Sequence, residues 1–161
     1  MPHFETRHVV PHTARQMFDL VADVEKYPEF VPFCERLEVR ARKREGEREV
    51  LIASMAVGYK LLRESFTSKV TLDRPALAIR ADYLDGPFRS MENRWAFTPR
   101  DATSSEIFFC IHYEFRSRML DALMGRMFDR VFRHFARAFE ARADAVYGTP
   151  AGAQAAGQGL R

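Results

Sequence analysis

Two hydrophobic periods run through this chain, and the change from one to the other separates a sheet-forming body from a helical end. Residues 3–10 predict a first strand, which Pro11 ends. Thr13 stands where it would cap a short helix over residues 14–22, with Met17, Phe18, Val21 and Ala22 on one face. Residues 23–33 then hold Tyr27, Pro28, Phe30, Val31, Pro32 and Phe33. Two prolines this close forbid a long regular element and predict a short helical turn followed by an extended link.

From Cys34 to Arg116 the period is two. Leu37, Val39 and Ala41 alternate with Arg36, Glu38, Arg40 and Arg42, and Arg44-Glu45-Gly46-Glu47 predicts a polar turn. Residues 50–59 form the next strand, in which Gly58 marks a bend or bulge. Leu62, Glu64, Phe66, Ser68, Val70 and Leu72 share one face of a long strand that ends at Asp73-Arg74-Pro75. Leu77, Ile79, Ala81 and Tyr83 alternate again up to the turn Asp85-Gly86-Pro87. Arg89, Met91, Asn93, Trp95 and Phe97 then make one row, and Ile107, Phe109, Ile111, Tyr113 and Phe115 the inner row of a last strand. Successive strands joined by short polar turns predict an antiparallel meander, not βαβ units.

The period changes to 3.6 over residues 117–147. Leu120, Leu123, Met124, Met127, Phe128, Val131, Phe132, Phe135 and Phe139 recur at spacings of three and four, which predicts one long helix with Ser117 as its N-cap and Gly148 and Pro150 beyond its end. So broad an apolar stripe needs a large partner surface, and the inner rows of the sheet supply it. The expected fold is therefore α+β: one domain over residues 1–148, a curved antiparallel sheet closed over a long C-terminal helix around an apolar cavity. Residues 149–161, rich in Ala, Gly and Gln, predict a disordered tail.

Composition sharpens the cavity. The chain of 161 residues carries 14 Phe and 7 Met, a mixture that suits a packed core and equally a cavity for a flexible apolar guest. The net charge of +3 is spread as dispersed Arg with no dense basic block, which leaves anionic lipid headgroups and RNA both open as partners. Cys34 and Cys110 form no CxxC pair and read as reduced thiols. The first residues lack a signal-peptide pattern, and no apolar run approaches the roughly 18 residues that span a bilayer, so membrane contact is expected to be peripheral.

Several side chains invite chemistry. Glu64, Arg89, Asn93 and Tyr113 each fall, by alternation, on an otherwise apolar row. Unpaired buried charge is costly, so either Glu64 pairs with Arg89 inside a wet interior, or the two form a strand-end pair near solvent. Cys110, His112 and Glu114 share a face opposite the inner row and read as surface residues. His3, His8 and His12 have no companion ligands, so no metal site is expected. Neither a Gly-rich phosphate loop nor a nucleophile elbow occurs, and no catalytic residue is assigned. The Tyr27–Phe33 segment reads either as a lid over the cavity mouth or as a packed connector. In the last helix, Leu120, Leu123, Met124, Met127 and Phe128 are expected to line a tunnel, while Phe132, Phe135 and Phe139 pack tightly.

Tyr27-Pro28-Glu29-Phe30-Val31-Pro32-Phe33-Cys34 resembles the signature that follows the first helix in the coenzyme Q-binding branch of START-like proteins, also labelled polyketide cyclase/dehydrase-like. That branch includes the bacterial ribosome-association toxin. Phe66-Thr67-Ser68-Lys69-Val70, Asp85-Gly86-Pro87-Phe88, Trp95-Ala96-Phe97, the pair Tyr113 and Phe115, and the final Ala138-Phe139-Glu140-Ala141-Arg142-Ala143 match in the same order, so the resemblance covers residues 2–148. It implies a helix-grip fold (START-like, Bet v 1-like) with an apolar tunnel. It also implies binding of ubiquinone (coenzyme Q) or a related isoprenoid lipid in support of respiratory electron transfer, with the lipid as ligand, no cofactor and no enzymatic activity.

On that reading the ligand contacts are Tyr27, Phe30, Val31 and Phe33 of the lid, Phe66, Tyr83, Met91, Trp95 and Phe109 of the sheet, and the tunnel half of the helix. Arg89, Asn93 and Tyr113 would donate hydrogen bonds to a quinone ring, with Glu64 orienting Arg89. Eukaryotic relatives carry a mitochondrial extension; without one, the expected location is a bacterial cytoplasm, peripheral to the inner membrane, with transient contact to its anionic surface through the lid, where Phe30, Val31 and Phe33 would insert. Two rival functions stand beside the carrier. A ribosome-directed inhibitor of subunit joining needs an exposed basic patch, for which Arg126, Arg130, Arg133 and Arg137 are available. A polyketide cyclase or dehydratase needs an acid–base pair in the cavity, and only Glu64 with Tyr113 or Arg89 is in place to supply it.

Overall fold

A computed structural model gives the fold and describes residues 3–59, 62–125 and 127–148. The expected tail at 149–161 lies outside the described residues. Strand β1 (His3–Val10) leads into helix α1 (Ala14–Ala22) and a 3-10 helical turn (Val24–Glu29). Six strands follow: β2 (Cys34–Glu45), β3 (Arg48–Tyr59), β4 (Leu62–Asp73), β5 (Ala78–Asp85), β6 (Phe88–Pro99) and β7 (Ser105–Phe115). Helices α2 (Arg118–Met124) and α3 (Phe128–Tyr147) are the last elements among the described residues.

The strands form one antiparallel sheet in the order β1-β7-β6-β5-β4-β3-β2. The meander from β2 to β7 is what the short polar turns predict. The return of β1 to the edge of β7 adds the seventh strand, with Phe4 opposite Ile111. Glycine is required at one of these turns. Gly86 has φ +141° at the β5–β6 hairpin, where a Cβ would fall 2.6 Å from Phe66 Cβ and 2.9 Å from the Ser65 carbonyl. The hairpin therefore presses directly on β4, which explains the Asp-Gly-Pro spacing.

Helix α1 begins with a capping box. Thr13 Oγ1 accepts from Gln16 N, and Gln16 Oε1 accepts from Thr13 N. Its buried face, Ala14, Met17, Phe18, Leu20 and Val21, packs at one end of the sheet, with the Phe18 ring edge-on to Phe97. At the same end His12 is buried, its Nε2 2.7 Å from Asp144 Oδ1 of α3. The Ser105 hydroxyl donates to the His12 carbonyl at 2.8 Å. Ser, His and Asp meet here, but the hydroxyl is bound to backbone and not to the imidazole, so the set ties α3 to β7 and builds no nucleophile.

Three sequence expectations are corrected. The last helix is two helices: the chain turns at Gly125, where a Cβ would lie 2.8 Å from the Asp121 carbonyl, and Asp121 Oδ1 accepts from Phe115 N, pinning α2 to the end of β7. In β6, a bulge between Phe88 and Ser90 breaks the alternation, so that Phe88 and Met91 are both buried while Arg89 turns out. Arg89 pairs with Glu114 at 2.9 Å on the outer face, so the Glu64–Arg89 pair does not exist. Finally, Cys110 is buried despite its outward-facing row, and burial raises its thiol pKa above the ordinary value. Cys34 is also a buried free thiol, raised by burial to about 11.

Gly58 does not itself bulge. The register shift lies in β2, between Cys34 and Arg36 and opposite Val57 and Ala56, and the Arg63–Glu35 ion pair, 2.8 Å, crosses over Gly58.

Candidate ligand-binding cavity

The inner face of the sheet and the apolar stripe of α3 do not meet completely. Between them lies a cavity of about 200 Å³. An apolar cavity of about 150 Å³ is enough to take up benzene, so this space seats one substituted ring, and a longer chain must extend through the mouth. The wall draws on four strands and the last helix: Met55, Val57 and Tyr59 of β3, Glu64 and Phe66 of β4, Met91, Asn93 and Trp95 of β6, Phe109 and Ile111 of β7, and Phe128, Val131, Phe132, Phe135 and Phe139 of α3. Pro87, Phe88, Phe115, Met124 and the Tyr27, Val31 and Phe33 side chains close it.

Aromatic packing sets the shape. Phe139 is edge-on to Tyr27, Phe30 and Trp95, with centroids 5.3, 5.1 and 5.0 Å away. Phe128 stacks on Phe132 and Phe115. Phe33 holds φ +68°, an uncommon conformation for a bulky residue, and its ring meets Tyr59 at 4.9 Å. Its carbonyl accepts from Gly58 N at 2.9 Å, which locks the segment onto β3.

Eleven of the residues expected at the ligand are on the wall: Tyr27, Val31, Phe33, Glu64, Phe66, Met91, Asn93, Trp95, Phe109, Met124 and Phe128. Seven are not. Phe30 lies behind the wall against Phe139, with the Arg142 guanidinium over its ring. Tyr83 is tied up by accepting from Phe88 N. Arg89 is on the outer face. Tyr113 is buried among Phe115, Phe128 and Phe132, where burial, then Asp129 and Asp121, push its hydroxyl up to about 12. Leu120 and Met127 are half-buried beside the break between α2 and α3, and Leu123 is 60% exposed. Conversely, Phe132, Phe135 and Phe139, expected as plain core, face the cavity. The β3 row was missed although a signal existed: Met55 and Val57 sit opposite Phe66 and Glu64, so they share the same inner face.

The wall is nearly all apolar, and most of its polar atoms are engaged within it. Tyr27 Oη donates to the Val21 carbonyl, and burial raises its pKa well above the tyrosine range. Trp95 Nε1 donates to Asn93 Oδ1 at 3.1 Å, and Asn93 Nδ2 donates to the Cys110 carbonyl at 3.0 Å. Glu64 has neither hydrogen bond nor ion pair among the described residues. No group of three His, Cys, Asp or Glu side chains converges among the described residues. With Arg89 outside and Tyr113 off the wall, neither of the expected acid–base pairs, Glu64 with Tyr113 or Glu64 with Arg89, is assembled.

A curved antiparallel sheet, a C-terminal helix across it and an apolar cavity between them define the helix-grip architecture. The chain belongs to the family described as polyketide cyclase / dehydrase and lipid transport, whose model matches residues 10–140. Among relatives, it is 34% identical over 140 residues to the ribosome association toxin RatA of Vibrio cholerae, a match covering 87% of this chain and 94% of that protein. It is also 34% identical over 145 residues to the coenzyme Q-binding protein COQ10 homolog B, mitochondrial, of Xenopus laevis, covering 87% of this chain and 57% of that longer one. Neither name is that of an enzyme. Among solved structures, an 18 kDa Caulobacter crescentus protein superposes with TM-score 0.78 at 34% identity, covering 92% of this chain and 100% of that one. The Zhui aromatase/cyclase of a Streptomyces species shares the fold at TM-score 0.72 and 19% identity, covering 89% and 93%.

Proposed function

We propose that this protein binds ubiquinone or a similar isoprenoid lipid in the cavity and supports respiratory electron transport as a carrier or chaperone, without catalysing a reaction. The observation that carries the reading is the cavity itself: about 200 Å³, walled by Phe, Met, Trp and aliphatic side chains of the sheet's inner face and of α3. The relative named for coenzyme Q binding supports the ligand class. Solvent extraction and native mass spectrometry of the purified protein test it. A stoichiometric quinone or related lipid is expected; a protein that carries none, and takes none up from vesicles, would end the reading.

A carrier for a bilayer lipid docks transiently at the membrane, here on the anionic cytoplasmic face of a bacterial inner membrane. Among the described residues no helix is long and apolar enough to cross a bilayer. The lid expected to insert is unsuited to it, because Val31 is buried and Phe30 packs on Phe139. Helix α2 is the better edge. Met124 faces the cavity, while Met119 and Leu123 are 80% and 60% exposed, with Arg118 exposed alongside. Each basic residue at an anionic surface adds about 1 kcal/mol, which suits reversible binding. Met119→Ser with Leu123→Ser is expected to cut flotation with anionic vesicles severalfold at unchanged thermal stability; undiminished flotation would remove α2 from the docking surface.

One observation favours a second reading. Arginines on the sheet are neutralised in pairs, such as Arg48–Asp73, Arg80–Glu92 and Arg94–Glu92. Arg130, Arg133 and Arg137 on α3 are exposed and have no acidic partner among the described residues. An unneutralised stripe of this kind suits a phosphate backbone, and relatives are named ribosome association toxins. Co-sedimentation with ribosomal subunits that Arg133→Glu abolishes, from a protein free of lipid, would favour this reading over the carrier.

A further inference from the structure

The five side chains on the cavity wall that carry hydrogen-bonding atoms are Tyr27, Tyr59, Glu64, Asn93 and Trp95. The Tyr27 hydroxyl and the Trp95 indole N–H are spent on Val21 and Asn93, and the Asn93 amide donates to the Cys110 carbonyl. Tyr59, its ring edge-on to Phe33, is not a free group either. The donors that would meet a ring carbonyl are elsewhere, Arg89 on Glu114 and Tyr113 among phenyl rings. Glu64, opposite Val57 on the inner row, presents a half-buried carboxylate with no partner among the described residues.

A carboxylate only accepts hydrogen bonds. Set against a carbonyl-bearing ring it brings acceptor against acceptor, in apolar surroundings that strengthen the repulsion. Set against a hydroxyl-bearing ring it gains a charge-assisted bond, the strong kind. We infer that the cavity takes the hydroxyl-bearing, reduced form of its ring lipid in preference to the carbonyl-bearing, oxidised form, with Glu64 as the acceptor. This rests on the cavity being the ligand site and reverses the polarity that the sequence alone leads one to expect. The protein moves no electrons; it selects between two forms that differ by two electrons and two protons.

The test measures anaerobic binding of a short-tailed ubiquinol, the matching ubiquinone, and pyrene as an apolar probe with neither donor nor acceptor. The parent protein is expected to bind the ubiquinol at least about tenfold more tightly than the ubiquinone, the scale of one hydrogen bond to a charged group. That preference raises the midpoint potential of the bound couple by about 30 mV. Glu64→Gln, whose amide donates as well as accepts, is expected to abolish the preference while pyrene binding stays the same. Equal affinity for the two ring forms in the parent, or an undiminished preference in Glu64→Gln, would overturn the inference with the cavity reading intact. Failure of pyrene and both rings to bind would overturn the cavity reading and this inference together.

Discussion

Val57→Trp is expected to empty the protein of lipid without unfolding it. Val57 is half-buried on the inner row of β3 and faces the cavity beside Glu64. An indole there occupies much of the roughly 200 Å³ that a guest would use. A void in the interior is itself unfavourable, by about 24 cal/mol for each Å³, so filling it offsets the local strain of a larger side chain. Binding of a short-tailed quinone should fall by two orders of magnitude or more, about 3 kcal/mol, with the thermal midpoint unchanged or a few degrees higher. Isothermal titration against the parent, with thermal unfolding of both, decides it. Full quinone binding by the folded variant would mean that the guest sits elsewhere on the molecule, and no rearrangement of the wall would rescue the cavity model.

What the sequence made legible was the part governed by period and by local backbone chemistry. The N-cap at Thr13, most of the strand alternations and the stripe on α3 are local patterns, and each appears where it was expected. Two features without a local mark were not legible. The bulge between Phe88 and Ser90 makes Arg89 an extra residue at the start of β6 and turns it out of the row that Met91, Asn93 and Trp95 keep, and nothing in Phe-Arg-Ser announces it. That single slip moved Arg89 from the interior to Glu114 and removed the only cationic donor from the supposed head-group site. The break between α2 and α3 was hidden for the opposite reason. The apolar spacing from Leu120 through Val131 continues across it, and Gly125, in ordinary right-handed helical conformation, is the one weak mark of it. The cavity wall was legible as a set of rows but not as a boundary. Tyr113 and Ile111 belong to the same row of β7, yet Ile111 meets the void and Tyr113 is enclosed by Phe128 and Phe132, a difference made by where α3 crosses the sheet.

Phe139→Ala is expected to be the most damaging truncation on α3. Its ring is 4% exposed and supports three others, Tyr27, Phe30 and Trp95, all edge-on within 5.3 Å. Through the first two it holds the Tyr27–Phe33 segment against the helix, and through the third it joins α3 to β6. Removing a buried phenyl costs about 3–5 kcal/mol, from lost transfer energy and the space left behind, and each edge-to-face pair adds about 0.5–1.5 kcal/mol beyond area alone. A domain of this size has only about 5–15 kcal/mol in total, so a third or more of its stability is at stake. The urea midpoint should drop accordingly with an unchanged slope, since the surface exposed on unfolding hardly alters. The new space opens into the cavity instead of closing off behind it, so an added apolar guest should restore part of the loss in proportion to the logarithm of its concentration. A loss below about 1 kcal/mol, the ordinary effect of a point substitution, would mean that the segment stands without Phe139. A full loss that no apolar guest relieves would mean that the space left by the ring is sealed from the cavity, and the wall would then have to be redrawn with Phe139 as core.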